Sequence, residues 1–297
     1  PMKNLIIYNP WAARGRAGKL LPQIKAYLQE IDLDCDILIT DHHGHGLELV
    51  KEADFSQYSA VIAAGGDGTL FEVINGYFRN NSSPRIPIGV IPVGTSNAFV
   101  KDMELHDHDW KPALDIIKAA KTQKFDVGRF ANEEQTWYYL NILGVGLVAD
   151  IVATANKLKF LGSVSYTLGS FYHILRLKTF QVKLDLDGQL VERENVFVEI
   201  SNSRYTGNYL MAPAAKTDDG LLDITILGPK SRIGLMRSFP KIITGEHIHM
   251  EEVDCFQASH IKIESNIPKV LTPDGELMGT TPLEIDCLKQ AIDVFWK

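Results

Sequence analysis

Cysteine is scarce in this chain: Cys35, Cys255 and Cys287 are the three present among 297 residues. They are odd in number and far apart, with no CxxC or Cys/His zinc spacing, which excludes a disulfide scaffold and fits a reducing cytosol. Positive charge is also short. Thirty Lys and Arg stand against 37 Asp and Glu, a net charge of -7, so a general nucleic-acid binder is excluded, because such proteins carry Lys and Arg for phosphate contacts. Long apolar runs are missing too. The N-terminal Pro1–Tyr8 reads as a short strand without the basic start and apolar stretch of a signal peptide. The segment Phe160–Leu175 is free of Asp, Glu, Lys and Arg, but it is shorter than the ~20 residues a transmembrane helix needs.

What is present is a hydrophobic share of 45%, enough for one large core or two moderate ones. The first third alternates apolar strand-like runs (Leu5–Tyr8, Cys35–Thr40, Ala60–Ala64, Ile88–Pro92) with segments of helical period (Gly18–Glu30, Leu47–Ala53, Leu70–Phe78). Continuous apolar strands separated by helices predict a doubly wound parallel sheet covered on both faces. Ligands of such sheets sit at the carboxyl ends of the strands. From about Phe125 strands dominate: Trp137–Leu143, Gln181–Leu186, Val196–Ser201, Leu222–Leu227, His260–Ile263, Leu283–Cys287 and Ile292–Trp296. Asp187-Gly188 and Asp219-Gly220 read as hairpin turns, and helices are predicted over Gly162–Leu177 and Ser231–Ile243. The expectation is an α/β domain over 1–124, then a mainly antiparallel, sandwich-like β domain over 125–297. A C-terminal tail of about 289–297 is expected to return to the first domain, and the active site to lie in the cleft between the two.

Gly65-Gly66-Asp67-Gly68-Thr69 falls between a buried strand and a helix. Glycines permit positive φ and close approach to the backbone, and the helix start offers free N–H groups to phosphate. A tight turn capped by Asp67 or Thr69 is the plainer alternative. Gly94-Thr95-Ser96-Asn97 repeats the arrangement at the next strand end, where Asn97 also suits a simple N-cap. The first strand ends in Asn9-Pro10 and runs on to Arg14, Arg16 and Lys19. It is neither G-x-G-x-x-G nor a Walker A loop, since Leu20 follows Gly18-Lys19. His42-His43-Gly44-His45 resembles a metal cluster but reads as solvated loop histidines with no carboxylate at ligand spacing.

Taken in order, Asn9-Pro10, Gly65–Thr69 with Glu72-Val73-Ile74-Asn75-Gly76, and Gly94–Phe99 resemble the diacylglycerol kinase catalytic family, which includes bacterial soluble lipid kinases and the sphingosine and ceramide kinases. Tyr139–Ile142 with Gly144-Val145-Gly146, Pro213–Leu222 and Asp274-Gly275-Glu276 extend the resemblance over nearly the whole chain. The resemblance implies an ATP-dependent, Mg²⁺-dependent kinase acting on a lipid hydroxyl. It implies Asp274 as general base, with Glu276 holding a metal or orienting that base. It implies nucleotide contacts from Asn9, Pro10, Thr40, Gly65, Gly66, Asp67, Gly68, Thr69, Glu72, Gly94, Thr95 and Asn97. It also implies a structural Mg²⁺ on Asp219 and the main-chain carbonyls of Lys216 and Leu221, where an ordinary turn is the alternative. Diacylglycerol kinases usually carry Asp where this chain has Ala98, and sphingosine and ceramide kinases carry Ala, so the choice of lipid stays open. A cytoplasmic protein touching the membrane surface transiently is expected. Lys157–Leu161 and Arg176-Leu177-Lys178, flanking an apolar stretch, are the candidate contact. No nucleic-acid partner is expected, and the resemblance leaves room for a homodimer. The rival readings are a NAD kinase-like phosphotransferase and a catalytically silent nucleotide-binding regulator. Asp274 and Asp219 argue against the second of these.

Overall fold

The computed structural model describes residues 2–131, 135–146 and 178–297. The chain divides into two compact units, 1–125 with 290–297, and 126–289. The apolar segment Phe160–Leu175, the basic residues before it and the helix expected over Gly162–Leu177 lie outside the described residues. Among those described, no helix is long and apolar enough to cross a membrane.

The first unit is built on β1 (Lys3–Tyr8), β2 (Cys35–Ile39), β3 (Tyr58–Gly65) and β4 (Ile88–Pro92). They run parallel in the order β2-β1-β3-β4. Leu5–Tyr8 and Ala60–Ala64 are fully or almost fully buried, as strands covered on both faces must be. The intervening helices are α1 (Arg16–Glu30), α2 (His45–Glu52), α3 (Asp67–Arg79), the four-residue α4 (Ala98–Lys101) and α5 (Trp110–Ala119). Ala17, Ile24 and Leu28 of α1 join Ile6, Tyr8 and Ile62 in one core, closed by Trp110, Leu114 and Phe295. Gly76 lets α2 lie close on α3: a Cβ there would meet the Leu47 carbonyl oxygen at 2.6 Å and the Val50 Cβ at 2.8 Å.

Strand β5 (Thr122–Ala131) leads into the second unit. There follow β6 (Thr136–Tyr139), β7 (Ile142–Gly146), β8 (Phe180–Leu186), β9 (Gln189–Asn195) and β10 (Phe197–Ser201). A short hairpin of β11 (Tyr205–Thr206) and β12 (Tyr209–Leu210) precedes β13 (Leu222–Leu227) and α6 (Arg232–Thr244). The unit ends with β14 (Val253–Ala258), β15 (His260–Ser265), β16 (Leu271–Pro273) and the first half of β17 (Leu283–Phe295). Pairing is antiparallel. One sheet runs β14-β13-β10-β7-β16, and facing strands β17, β15, β8 and β9 pair side by side in that order, as part of a ten-stranded sheet. Inward residues of both, among them Leu143, Val145, Val198, Ile200, Ile224, Leu184, Ile261 and Ile285, make one core, the arrangement of a β-sandwich.

The strand expected over Trp137–Leu143 is interrupted at Leu140-Asn141, because the backbone N–H groups of Leu140, Asn141 and Ile142 turn to a side-chain carboxylate at 2.9, 2.8 and 3.1 Å. Asp187-Gly188 does form the β8–β9 hairpin, with φ of 51° and 91°. Asp219-Gly220 does not: β12 pairs with β11 and β13 with β10, and Gly220 enters β13 with its N–H bound to a carboxylate oxygen of Asp126 at 2.6 Å.

Candidate active site

In the first unit three loops meet at the carboxyl ends of β1, β3 and β4, and backbone contact fixes them to one another. The N–H groups of Val93 and Gly94 both donate to the Gly65 carbonyl, at 3.1 and 2.9 Å, and the Asp67 N–H to the Ser96 carbonyl at 3.3 Å. Positive φ is not what the glycines supply. Gly66 has φ −105°, ψ −167°, and none of Gly65, Gly68 and Gly94 takes positive φ. The requirement is space: a Cβ on Gly94 would fall 2.4 Å from the Gly66 Cα, and one on Gly65 would fall 2.1 Å from the Thr69 Oγ1.

Side chains extend the lattice. Asn9 donates through Nδ2 to Thr69 Oγ1 at 3.1 Å, while its Oδ1 accepts the Trp11 N–H at 3.0 Å. Asp67, in the first turn of α3, accepts the Ala98 N–H on both carboxylate oxygens at 2.9 and 3.1 Å. Asn97 makes no side-chain cap of α4. It is buried, and its N–H and side-chain amide both reach Asp107 Oδ1. Glu72 accepts the N–H groups of Gly44 and Gly46 at 2.7 and 2.9 Å, clamping α2 to α3. Thr40 is buried just past β2, its N–H on the Tyr8 carbonyl. Pro10 accepts the Gly18 N–H at 2.9 Å and so shapes the start of α1. Thr95 is exposed beside these loops. Sequence reasoning missed Lys101. Burial holds its ammonium below the ordinary lysine range, against Asp107 and Asp67, which act to raise it. It thus places a half-buried cation near the two loops.

The second unit centres on Asp274. It is not on the surface: it is 7% exposed and takes φ 46°, a left-handed conformation that Asp tolerates better than most residues but that still stores strain. Gly275 completes the turn at φ 87°. The Asp274 N–H donates to the Ile142 carbonyl, and the carboxylate accepts the three N–H groups of the β6–β7 break. Burial pushes its pKa up to about 6, and those hydrogen bonds pull against the rise. Burial wins, which leaves a carboxylate with appreciable proton affinity near neutrality. Glu276 is half-buried, with its N–H on the Pro273 carbonyl at 2.9 Å.

Around this turn lies a polar network that the motifs did not reveal. Asn202 donates to the carbonyls of Asp126 and Leu140 at 2.8 and 2.9 Å, and Ser203 donates to Asn141 Oδ1 at 3.2 Å. Asp126, fully buried, ties this network to the loop Lys216–Leu221 through Gly220 and through its own N–H on the Thr217 carbonyl. Asp219 closes a local turn, accepting the Leu221 N–H at 3.0 Å. Burial raises the Asp223 pKa to about 6, and neighbouring Asp219 adds to the rise. The thiol of Cys287 is pushed up to about 12, by burial first and then by Asp126 and Asp219. This oxygen-rich, negatively charged surrounding fits a hard divalent cation. Asp126, a lone Asp in β5, carried no sequence signal, because neither its burial nor its contact with Gly220 can be read from its neighbours.

The one group of three donors able to share a metal ion, among the described residues, is Asp41, His42 and His45. This corrects the expectation of no carboxylate at ligand spacing: Asp41 directly precedes the histidines and supplies one.

Comparison with known proteins agrees over both units. The diacylglycerol kinase catalytic domain matches residues 3–130, and the YegS C-terminal NAD kinase beta sandwich-like domain matches residues 141–296. A diacylglycerol kinase of Bacillus subtilis (strain 168) is 29% identical over 292 residues, covering 97% of this chain and 94% of that protein. One of Staphylococcus aureus (strain MRSA252) is 30% identical over 294 residues, covering 98% and 91%. The crystal structure of a putative diacylglycerol kinase from Bacillus anthracis str. Sterne superposes with a TM-score of 0.82 at 29% identity, covering 100% of this chain and 97% of that one. With both parts matched in order and relatives aligned nearly end to end, the chain belongs to the diacylglycerol kinase-like family, which is related to the NAD kinases.

Proposed function

We propose that this protein transfers the γ-phosphate of ATP to a hydroxyl group of a lipid, such as diacylglycerol or a sphingoid or ceramide-like lipid, which it meets at the membrane surface. The observation that carries the reading is Asp274: a buried carboxylate fixed by three main-chain N–H groups, with its pKa raised to about 6. A base so held keeps one orientation and accepts a hydroxyl proton near neutral pH. Phosphoryl transfer otherwise needs positioning and charge neutralisation. Gly65–Thr69 and Gly94–Asn97 provide small residues, hydroxyls and the start of α3 for phosphate, and Lys101 adds positive charge near them.

Mg²⁺ fits the second unit's acidic loop. Asp219 and the carbonyls of Lys216 and Leu221 would hold it, with Asp126 keeping the loop in place through Gly220. When bound, the ion supplies charge compensation that keeps the loop folded among its carboxylates. Glu276, two residues after the base, would orient it.

The test is ATP consumption by the purified chain, with and without Mg²⁺, against diacylglycerol, a sphingoid base, ceramide and NAD. Phosphorylation of one lipid class is expected. NAD phosphorylation would establish the NAD kinase-like reading instead. ATP binding without turnover on any acceptor would establish a nucleotide-binding regulator.

A further inference from the structure

The loop from β2 into α2 carries a constellation that phosphoryl transfer does not use. Asp41, His42 and His45 each present one donor atom, and the three atoms lie within 4.8 Å of one another. Asp41 Oδ1 is the hub: His42 Nδ1 lies 3.2 Å from it, and His45 Nδ1 is in direct contact with it. The two rings stack with centroids 4.7 Å apart and planes 11° apart, so their nitrogens approach the hub side by side.

Two contacts bring Asp41 onto the same ring nitrogen: its N–H reaches His45 Nδ1 at 3.2 Å, and its Oδ1 lies against that nitrogen. His42 has Glu48 3.6 Å from its other nitrogen, Nε2. At that distance Glu48 adds negative charge beside the ring and favours a cation near it.

The backbone beneath is already fixed. Gly44 takes φ 88°, Glu72 clamps the N–H groups of Gly44 and Gly46, and the His45 N–H donates to the His42 carbonyl at 3.3 Å. Asp41 and His42 remain open to solvent while His45 is half-buried, so an ion reaches the donors without rearrangement of the fold. Two imidazole nitrogens and one carboxylate oxygen suit a borderline divalent ion at about 2.0–2.2 Å, with water completing a tetrahedron. Mg²⁺ favours all-oxygen surroundings and is selected against.

We propose that Asp41, His42 and His45 form a binding site for a zinc-class divalent ion on the β2–α2 loop, separate from the Mg²⁺ loop of the second unit. The ion would tie Asp41 to the first turn of α2, directly after Thr40.

The full chain is titrated with Zn²⁺ by calorimetry and with Co²⁺ by visible absorption, which reports nitrogen and oxygen ligands directly. One strong equivalent per chain and a tetrahedral Co²⁺ band are expected. His42→Ala and His45→Ala should each weaken binding at least tenfold. His43→Ala and His108→Ala, altering rings outside the trio, should leave it unchanged. His42 is exposed, so its variant keeps the test informative even where His45→Ala folds poorly. The proposal is overturned by the absence of a saturable equivalent in the wild type, by His42→Ala binding as tightly as wild type, by His43→Ala losing as much, or by displacement of the Co²⁺ band by excess Mg²⁺.

Discussion

The two units treat their carboxylates differently. In the first, Asp67, Glu72 and Asp107 all lie near helix starts and accept main-chain N–H groups: Ala98 on Asp67, Gly44 and Gly46 on Glu72, Asn97 on Asp107. There the carboxylates act as rivets between loops, at ends where backbone donors are in surplus. In the second unit Asp274, Glu199 and Asp223 are carried on or beside strands, and there burial dominates even where, as at Asp274, three main-chain N–H groups bind the carboxylate. Burial raises the pKa of Asp274 and Asp223 to about 6 and of Glu199 to about 7. In the first unit carboxylates serve as acceptors for helix-end donors, and in the second burial raises their proton affinity. The same division appears in the proposed chemistry, with nucleotide phosphate assigned to the one and the acceptor hydroxyl to the other.

The largest effect that would break this contrast is at Asp274. Asp274→Asn should lower kcat by ~10²-fold or more, the usual scale for loss of a general base. The variant also turns an amide toward main-chain N–H groups that need an acceptor, so a stability loss of about 1–3 kcal/mol accompanies it. Turnover measured under conditions where circular dichroism shows a folded variant separates the two effects. A folded variant with wild-type kcat would remove Asp274 from the chemistry.

Next is Gly94, which sharpens the account of the first unit. Gly94→Ala places a methyl group against the backbone of Gly66, where no flexible side chain can yield. Loop separation should cost about 1–3 kcal/mol and weaken ATP binding. Gly66→Ala meets the Ser96 carbonyl oxygen at 3.2 Å and the Gly94 Cα at 3.5 Å, a looser fit, and should cost less. Calorimetry and melting temperature give the order; a Gly94→Ala protein matching wild type in both would show that the loops are not held by this contact.

These particulars mark what the sequence made legible. Leu222–Leu227 was readable to the residue, because apolar alternation and the following Gly228-Pro229 bound it. That the first unit holds a parallel sheet was readable from its buried strands; the order of the strands was not. The reason for the glycines was not: permissive φ and close packing leave the same letters, and they are distinguished by the 2.4 Å at which a Cβ on Gly94 would meet the Gly66 Cα. Burial of Asp274 was likewise invisible, since Pro-Asp-Gly reads as a surface turn and the three N–H groups that hold it come from more than 130 positions away. Asp126, Asn202 and Ser203 act through contacts of long sequence separation and leave no local signature.

A third, smaller effect concerns the acidic loop. Asp219→Ala removes one local hydrogen bond, to the Leu221 N–H, worth about 1 kcal/mol. If Asp219 is also a Mg²⁺ ligand, wild type should melt at a higher temperature in Mg²⁺ than in chelator, and the variant should lose that difference. An equal Mg²⁺ effect on both proteins would leave Asp219 as a turn residue alone.

The smallest effect lies at Glu199, which has no assigned part in the reaction. Its side chain is fully buried on β10, Oε1 accepts from Thr206 and Ser201, and Oε2 has no partner. Desolvation disfavours the anion, so the folded state binds its proton up to about pH 7 while the unfolded chain, at the ordinary glutamate value of 4.5, releases it earlier. Where the folded state holds the extra proton, stability falls as pH rises. The contribution is complete below pH 4.5 and lost by about pH 7, with a slope of at most about 1.4 kcal/mol per pH unit. Asp274 and Asp223 act with the same sign, but their share ends near pH 6. Burial lowers the pKa of His247, which gives the opposite sign. The difference between wild type and Glu199→Gln cancels these common terms. Denaturant unfolding at half-unit steps from pH 5 to 8 should show the wild type losing stability relative to the variant, with the gap still growing between pH 6 and 7. Turnover at a fixed pH should stay within about twofold, because Glu199 lies outside the proposed proton path. Parallel stability curves would mean that the carboxylate is already ionised in the fold and finds a donor on Oε2, which would erase the contrast between the units at this residue.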